Sequence, residues 1–461
     1  MVKYKKENSY EKLNKFEQEE MYKYTDEYIK FLNAAKTEYK CIEVIKSELE
    51  QAGFMPLSSF RCLVPGDKVY YINKDRSIYA AIIGEQSETL RVNIVGSHID
   101  SPRLDTKPMP LFEKHGMALM KTQYYGGIKK YQWLSIPLAM YGTVYNEDGE
   151  KIDVVLGESN EDYTFVITDL LPHLGREEAE KKASDFIDPE NLNVLIGSTP
   201  DLDEKEDKVK SKILKALNKK YGITEIDFAR SDIRFVPAFD AKYIGIDKGM
   251  IAGYGQDDRV CVYATITAMI NLVKENRLLN KTAVALIVDK EEIGSEGNTS
   301  MNSWGFELFM TKLLRLRGKE SREDLLELLD KSYMLSADVS AAVDPMHDHL
   351  SDIQNGNIAG CGIAIEKYTG SGGKYSANDA SAKYMSYVMN LFDKNNISYQ
   401  LGTLGKIGKG GGGTIAYILA AKGVEVVDCG TALLSMHSPY EVASVIDVYM
   451  TYKAYKAFFK G

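Results

Sequence analysis

The chain has 461 residues, of which 44% are hydrophobic and 27% are charged. This length suggests two or three domains with a large buried core, and the composition excludes fibrous, low-complexity and largely disordered proteins. Lys plus Arg number 57 and Asp plus Glu number 66, so the net charge of −9 argues against proteins that bind nucleic acid or anionic membrane surfaces.

The sequence shows no sign of membrane insertion or of a disulfide framework. No run approaches the roughly 20 apolar residues of a membrane span, and the first residues lack the apolar core of a signal peptide. The five cysteines are far apart and odd in number: Cys41, Cys62, Cys261, Cys361 and Cys429. We therefore expect a cytoplasmic protein with no nucleic-acid or membrane partner, in which His and carboxylate side chains hold any metal.

The first hundred residues begin with helical spacing of apolar side chains and continue with strand patterns. The predicted elements are helices at 22–32 and 41–49 and strands at 69–73, 78–83 and 90–95. The first two strands flank the polar residues 74–77, which is typical of a hairpin. The third strand runs into Gly96-Ser97-His98, the first residues of chemical interest.

From about Thr106 to Ile244 the pattern changes to short strand-like runs, interrupted by a charged stretch from Arg176 to Lys220. We interpret residues 106–244 as an inserted, β-rich domain. Within it, residues 201–212 alternate in charge with almost no apolar content, which favours a solvated loop leading into a surface helix at Val209 to Leu217 over a binding motif.

After Gly253, helical and strand patterns alternate. The predicted helices are 258–274, 304–314, 379–392, 415–421 and one starting at Pro439, and the predicted strands are 283–289, 333–337, 398–403 and 424–429. This alternation predicts an α/β fold with a mixed, largely parallel sheet flanked by helices. The main domain would then comprise residues 1–105 and 245–461, divided by the insert.

Acidic and histidine residues stand just past several of these predicted strands. They are His98, Asp100, Asp257, Asp258, Glu291, Glu292, Asp338 and His437. Each alone is explained as a surface or capping group, but the carboxyl ends of parallel strands open onto one crevice, where these residues would converge. Carboxylates gathered in a crevice repel one another unless cations neutralise them, and His with several carboxylates is the ligand set of a dinuclear zinc-type centre.

The local spacings agree with this chemistry. In His98-Ile99-Asp100 the carboxylate can accept a hydrogen bond from the imidazole and fix its tautomer. Glu291 and Glu292 are adjacent and point in different directions, so one can bind metal while the other takes a proton from water. Asp257, at the start of a helix, can bridge two ions.

Five strings resemble the aspartyl aminopeptidase and aminopeptidase I family of dinuclear zinc exopeptidases: VGSHIDSPRLDTKP, GQDDR, DKEEIGS, SADVSAAVDP and MHSPYE, in this order. PGDKVYYINKDRSIYAAIIG, TQYYGG and GGGTIAYILA extend the resemblance over essentially Glu17 to Gly461. The resemblance implies a zinc exopeptidase fold with an inserted dimerisation domain. It also implies a metal-dependent aminopeptidase that removes the N-terminal residue of peptides.

Carried over motif by motif, the resemblance implies two Zn²⁺ per subunit, with Co²⁺ or Mn²⁺ as substitutes. The implied ligands are His98, Asp257 and Asp338 for one ion and Asp257, Glu292 and His437 for the other. Asp257 would bridge, Glu291 would be the general base, and Asp100 would orient His98. We expect Asp258 to form an ion pair with Arg259 at the start of the helix.

The resemblance also suggests substrate-binding residues and an assembly. His173 would reach into the neighbouring subunit's site within a homododecamer built from dimers. The Gly-rich stretch before Gly413 and Thr414 lacks the order of a phosphate-binding loop and resembles the family's substrate loop, with main-chain N–H groups available to a carbonyl or carboxylate. Lys374 stands where the family has a basic residue near the substrate, and it could pair with an acidic side chain or simply be a solvated loop lysine.

Two departures from the family pattern leave the preferred N-terminal residue open, acidic or neutral. Ile128 to Trp133 replaces a stretch that usually contains Trp and His, and the Gly-rich loop replaces a Cys-Gly-Thr-Thr version. Two other functions are kept as alternatives. One is a different zinc amidohydrolase, such as a carboxypeptidase or deacylase. The other is a non-catalytic peptide-binding assembly, against which the intact Glu291 argues.

Overall fold

A computed structural model describes residues 4–85, 91–158, 161, 163–370, 373–375 and 377–461. The chain divides into two compact units. The first comprises Met1–Asp100, Ala241–Met436 and Tyr440–Gly461, and the second comprises Ser101–Asp240 and His437–Pro439. The second unit begins earlier than residue 106 because the strand that starts at Arg103 pairs with strands of that unit.

The structure contains strands and helices throughout the described residues. The strands are β1 (Met55–Pro56), β2 (Lys68–Asn73), β3 (Ser77–Ile82), β4 (Val92–His98), β5 (Arg103–Lys114), β6 (Met117–Tyr125), β7 (Leu138–Tyr145), β8 (Lys151–Leu156), β9 (Val194–Gly197), β10 (Ser231–Pro237), β11 (Lys242–Ile244), β12 (Met250–Gly253), β13 (Thr282–Val288), β14 (Tyr333–Ser336), β15 (Ser340–Ala341), β16 (Ile363–Glu366), β17 (Tyr399–Gly402), β18 (Glu425–Gly430), β19 (Ala432–Leu434) and β20 (Glu441–Ser444). The helices are α1 (Lys15–Ala34), α2 (Glu38–Gln51), α3 (Arg176–Ala179), α4 (Lys208–Tyr221), α5 (Gln256–Lys274), α6 (Gly305–Arg315), α7 (Arg322–Lys331), α8 (Ala382–Lys394), α9 (Ala416–Ala420) and α10 (Val445–Lys460). None of these helices is long and apolar enough to cross a lipid bilayer.

The first unit is built on a nine-stranded mixed sheet in the order β1-β2-β3-β13-β4-β14-β18-β16-β17. Its centre, β13-β4-β14-β18, is parallel, and both faces are covered. Ala285 and Ile287 of β13 pack in one core cluster with residues of α5 and α10, while Leu286 packs in another with residues of α6. This double burial explains the continuous apolar run of β13, and the predicted α/β class is confirmed.

Each predicted helix and strand of the first unit overlaps one in the structure, whereas α7 and several strands, among them β16 and β20, were not predicted. The predicted terminal helix starts at Val445, not at Pro439, because β20 occupies residues 441–444 between β12 and β19. β20 belongs to a five-stranded sheet in the order β11-β12-β20-β19-β15, whose strands of two to four residues are too short to show periodicity. The predicted strand 90–95 begins at Leu90, which lies outside the described residues.

The second unit is β-rich, as predicted. Its six-stranded antiparallel sheet has the order β8-β7-β10-β5-β6-β9. Alternate residues Ala118, Met120 and Thr122 of β6 are buried, which is typical of a sheet with one packed face. β5 was not recognised because it contains two prolines, Pro108 and Pro110, which are uncommon inside strands. α4 confirms the predicted helix at 209–217.

Asp447 is a buried carboxylate in the first turn of α10 that fixes a loop of the first unit. Its Oδ2 and Oδ1 accept hydrogen bonds of 2.7 Å from the main-chain N–H groups of Gly360 and Gly362. Burial raises the pKa of Asp447 from 3.8 to about 7, against the opposing effect of these hydrogen bonds. The folded chain therefore retains a proton that the unfolded chain releases at lower pH.

We expect the free energy of unfolding of Asp447→Asn, minus that of wild type, to increase by about 3 kcal/mol between pH 5 and pH 8. The pKa of Asp447 is higher in the folded state, so the stability contributed by its protonated form is lost as pH rises from about 3.8 to about 7. Urea unfolding of both proteins at each pH measures the difference. Asp148→Asn, in an exposed turn, is the control. A difference between wild type and Asp447→Asn that does not vary with pH would contradict this account.

Candidate active site

Three adjacent parallel strands of the first unit end at the same edge of the large sheet. β4 ends at His98, Glu291 follows β13, and Asp338 follows β14. The registers pair Val288 with His98 and Ser336 with Gly96, so the three carboxyl ends lie level with one another. This is the edge at which open α/β sheets bind ligands. The structure therefore brings together residues that are far apart in the chain.

His98 is buried at the centre of this edge. Its Nε2 lies 3.3 Å from Asp257 Oδ1, 3.6 Å from Asp338 Oδ1 and 4.0 Å from Glu291 Oε2. Its Nδ1 lies 3.0 Å from the main-chain carbonyl oxygen of Asp100. Because a carbonyl only accepts, this hydrogen bond assigns the proton to Nδ1 and directs Nε2 toward the surrounding carboxylates.

Asp100 contacts both His98 and the turn that carries Glu291 and Glu292. Its carboxylate oxygen Oδ1 lies 3.4 Å from His98 Nδ1, farther than the Asp100 carbonyl oxygen. Its two carboxylate oxygens accept hydrogen bonds of 3.1 Å from the main-chain N–H groups of Glu291 and Glu292. These N–H groups open the short 3-10 turn Glu291–Ile293, where they have no partner within the turn. Asp100 therefore contacts the imidazole with both its main-chain carbonyl and its carboxylate, and its carboxylate also holds the glutamate turn.

Asp257 enters the site from the start of α5, where Asp257 and Asp258 have non-helical backbone angles and are joined by a cis peptide bond. The main-chain N–H of Asp257 donates to Glu441 Oε2 at 3.1 Å. Asp258 Oδ2 accepts from the main-chain N–H of His98 at 3.2 Å, which ties α5 to the end of β4. The expected ion pair with Arg259 is not found between these two described residues, because Asp258 is engaged by the β4 main chain.

Burial and mutual repulsion dominate the electrostatics of the site. Burial raises the pKa of Asp338, and the negative charge of Asp257 raises it further. Burial and the charge of Asp338 raise the pKa of Glu291 to about 8. Burial lowers the pKa of His98, but its hydrogen bonds to the surrounding carboxylates outweigh burial, and the pKa lies well above the usual value. Such a cluster favours bound positive charge, whether protons or metal ions.

The donor set and its spacing fit zinc. His98, Asp257 and Asp338 each offer a ligand atom, and these atoms lie within 4.8 Å of one another. In a tetrahedral site with zinc–ligand bonds of about 2.0–2.1 Å, neighbouring ligand atoms are about 3.3 Å apart. The observed 3.3 Å and 3.6 Å from His98 Nε2 to the two carboxylates are close to that value. Asp257 and Glu292 also offer carboxylate oxygens within 4.8 Å of each other.

Two predicted histidines belong to the second unit. His437 stands at a φ of 64°, in the segment His437–Pro439, and its Nδ1 lies 2.9 Å from the carbonyl oxygen of Gly127. As in His98, a carbonyl acceptor assigns the proton to Nδ1. His173 is exposed in a turn of the same unit. The ligand role of His437 and the substrate role of His173 remain predictions from the sequence.

A family model described as aminopeptidase I zinc metalloprotease (M18) matches residues 31–459. The chain belongs to the M18 family. A protein of Borrelia garinii named probable M18 family aminopeptidase 1 is 43% identical over 460 residues, 99% of this chain and 100% of the relative. A relative of the same name from Thermotoga maritima is 42% identical over 440 residues, 95% of this chain and 96% of the relative.

Solved structures of M18 enzymes have the same fold. The crystal structure of the Thermotoga maritima M18 aminopeptidase matches with a TM-score of 0.95 and 40% identity, covering 99% of this chain and 100% of that one. Aminopeptidase I of Clostridium acetobutylicum matches with a TM-score of 0.92 and 39% identity, covering 100% of both chains. The chain is thus a metal-dependent M18 aminopeptidase of the zinc metalloprotease class, and the family that the sequence resembled is confirmed.

Two of the residues that we expected to bind substrate in this M18 aminopeptidase, Lys374 and Thr414, have side-chain partners within the first unit. Lys374 Nζ lies 2.9 Å from Asp379 Oδ2, with both side chains about half exposed, and its role toward substrate stays a prediction from the sequence. Lys374 lines a cavity of about 860 Å³ together with residues 403–408. Thr414 Oγ1 donates to Asp428 Oδ1 at 2.6 Å, and Gly413 before it is exposed.

Two buried carboxylates in the first unit of this M18 aminopeptidase were missed in the sequence. Asp428 of β18 and Glu366 of β16 are cross-strand neighbours. Burial raises the pKa of Asp428 to about 7 and also raises the pKa of Glu366, which accepts a hydrogen bond of 2.9 Å from Asn357 Nδ2. Both acids interrupt or end an apolar strand, which is the signal that was available for them.

Proposed function

We propose that this aminopeptidase hydrolyses the N-terminal peptide bond of peptides at a dinuclear zinc centre, with Glu291 as the general base. The proposed ligands are His98, Asp257 and Asp338 for one zinc and Asp257, Glu292 and His437 for the other, with Asp257 shared and with Co²⁺ or Mn²⁺ as substitutes. The observation that carries the proposal is the convergence of Asp257, Asp338 and Glu291 on Nε2 of His98. The assignment of His437 rests on the sequence motif alone.

The chemistry divides between the metals and the protein. Zinc in such a site polarises the scissile carbonyl and makes a nearby water more acidic. Glu291 accepts the proton of the attacking water and delivers it to the leaving amine. Its carboxylate lies beside the ligand set, with Oε2 4.0 Å from His98 Nε2. Asp100 holds the Glu291 turn through two main-chain N–H groups.

We further propose that Lys374, Gly413 and Thr414 bind the substrate and that His173 does so in a neighbouring subunit. Exposed main-chain N–H groups of the Gly-rich loop suit a peptide carbonyl. An acidic N-terminal side chain would compete with Asp379 for the ammonium group of Lys374, since these two side chains already lie 2.9 Å apart. This competition is the reason to test neutral and acidic substrates side by side.

We propose that the chain assembles as a homododecamer built from dimers, with the second unit as the dimerisation domain. The support is the sequence resemblance and one distant solved structure, S. cerevisiae mApe1, which is described as a dodecamer and is 21% identical with a TM-score of 0.75. Light scattering should give the mass of twelve chains. A monomer with full activity would contradict the assembly.

A panel of substrates and metals tests the proposed function. We expect chelation to abolish hydrolysis of aminoacyl substrates, and zinc, cobalt or manganese to restore it, because the proposed reaction depends on a metal ion to polarise the carbonyl. Substrates with a free amine should be cleaved and their N-acetylated forms should not. Cleavage of the N-acetylated forms would indicate a different zinc amidohydrolase. No hydrolysis with any metal would indicate a non-catalytic assembly.

A further inference from the structure

The loop that carries Glu291 and Glu292 is fastened at both ends by Asp289 and Thr299. Asp289 is buried directly after β13, and its Oδ2 accepts a hydrogen bond of 2.9 Å from Thr299 Oγ1. The main-chain N–H of Asp289 also donates to the carbonyl oxygen of Thr299 at 3.3 Å. Thr299 is buried as well. The two contacts join the ends of the loop, and Glu291 and Glu292 lie between these ends in the chain.

The hydroxyl of Thr299 makes a second contact inside the loop. Lys290 Nζ donates to Thr299 Oγ1 at 2.9 Å, so the hydroxyl accepts from Lys290 while it donates to Asp289. Lys290 precedes Glu291 and has a φ of 67°, in the left-handed region that non-glycine residues seldom adopt. The hydroxyl thus links the buried acid to the residue whose backbone sets the direction of Glu291.

Arg76, in the turn between β2 and β3, supports this arrangement from another part of the first unit. Its Nη1 lies 3.7 Å from Asp289 Oδ2 and 3.3 Å from Glu38 Oε1, and its Nε donates to Tyr39 OH at 3.0 Å. Both carboxylates are buried. A guanidinium between two buried acids compensates their charge and resists displacement, since moving it would leave both acids without that compensation.

We propose that Asp289, Thr299 and Arg76 form a clamp that positions Glu291 for proton transfer. The proposal rests on the proposed role of Glu291 as general base. The clamp residues are positioning residues, because they act on Glu291 through Lys290, which precedes it in the chain. A shift of about 1 Å in a reacting group can cost up to about 100-fold in rate, so a small rotation of this turn would slow the reaction without weakening substrate binding.

Removing one hydroxyl tests the clamp with little change in shape. We expect Thr299→Val to lower kcat about 10-fold, with KM and zinc content close to those of wild type. Thr299→Ser restores the hydroxyl and should recover most of the activity. Thr25→Val is the matched control, because Thr25 is a buried threonine of α1 whose Oγ1 contacts the main chain of Met21 at 3.0 Å. It should leave kcat unchanged.

Asp289→Asn gives a second test if Thr299→Val folds poorly. It keeps the shape and an acceptor oxygen but weakens the pairing with Arg76, and it should also lower kcat without changing KM. A loss of thermal stability without a change in kcat, in both variants, would show a purely structural network and overturn the proposal. Loss of zinc from either variant would also overturn it, since the network would then act on metal binding.

A double-mutant cycle separates this inference from the proposed function. If the clamp acts through Glu291, adding Thr299→Val to Glu291→Gln should lower kcat by less than about 2-fold relative to Glu291→Gln alone. Additive losses would show that Thr299 acts elsewhere and would overturn the clamp. Full activity of Glu291→Gln alone would instead refute the general base, whatever the result for Thr299→Val in the wild-type background.

Discussion

Glu291→Gln should lower kcat by about 10³-fold while zinc content, fold and free energy of unfolding stay close to those of wild type. Glutamine has nearly the same size and can still receive the contacts of its neighbours, but it cannot accept the proton of the attacking water. Glu291 is outside the proposed ligand sets, and Asp100 holds its main-chain N–H rather than its side chain. The change therefore removes one chemical step and leaves the site otherwise assembled.

The measurement is steady-state kinetics on a free-amine substrate, with metal analysis of the same samples. Glu296→Gln is the matched control, because Glu296 is an exposed glutamate of the same loop. It should keep wild-type kcat. Retained turnover in Glu291→Gln would refute the assignment of Glu291 as the general base. Loss of zinc from Glu291→Gln would instead make Glu291 a ligand.

Asp257→Asn should lower the zinc content of the protein more than Asp338→Asn does, because Asp257 belongs to both proposed ligand sets. Its Oδ1 lies 3.3 Å from His98 Nε2, and a carboxylate oxygen of Asp257 lies within 4.8 Å of one of Glu292. We expect this variant to lose both zinc ions and at least about 10³-fold of its activity. Asp338→Asn, which changes a ligand of one ion only, should retain about one zinc per chain.

Thermal unfolding with and without chelator adds a control on stability to this comparison. Each bound zinc should stabilise wild type by about 2.7 kcal/mol at a free zinc concentration 100 times the Kd of its site, and Asp257→Asn should lose this gain at both sites. Without metal, Asp257→Asn should be at least as stable as wild type, because it removes one of several repelling carboxylates. Asp348→Asn, at an exposed aspartate, should respond to chelator like wild type. Two zinc ions retained by Asp257→Asn would contradict the bridging role.

Long elements with a clear apolar pattern were predictable from sequence. The run from Ala283 to Val288 is apolar throughout because both of its faces are covered in the structure. Strands such as β20 were not predictable, since four residues contain only two repeats of the in-and-out alternation. α7 was also missed, although Ser321 and Asp324 form a capping box at its start.

The candidate residues of the site were visible because each one follows an apolar strand or opens a helix. Their supporting contacts were not visible, because these contacts join distant parts of the chain. Nothing near Asp100 in the sequence indicates that its carboxylate holds the main chain of Glu291 and Glu292. The same is true of Arg76 and Asp289, which are brought together by the order of strands in the sheet. Such contacts depend on tertiary packing, for which local patterns carry no signal.

Zinc titration of the metal-free enzyme tests the central claim most directly. Chelated protein, freed of chelator, receives zinc in steps while hydrolysis of a free-amine peptide is followed. We expect no activity without metal and a plateau at about two zinc ions per chain, with no cleavage of the N-acetylated peptide at any point. A plateau at one zinc per chain, or turnover without zinc, would contradict a dinuclear zinc aminopeptidase.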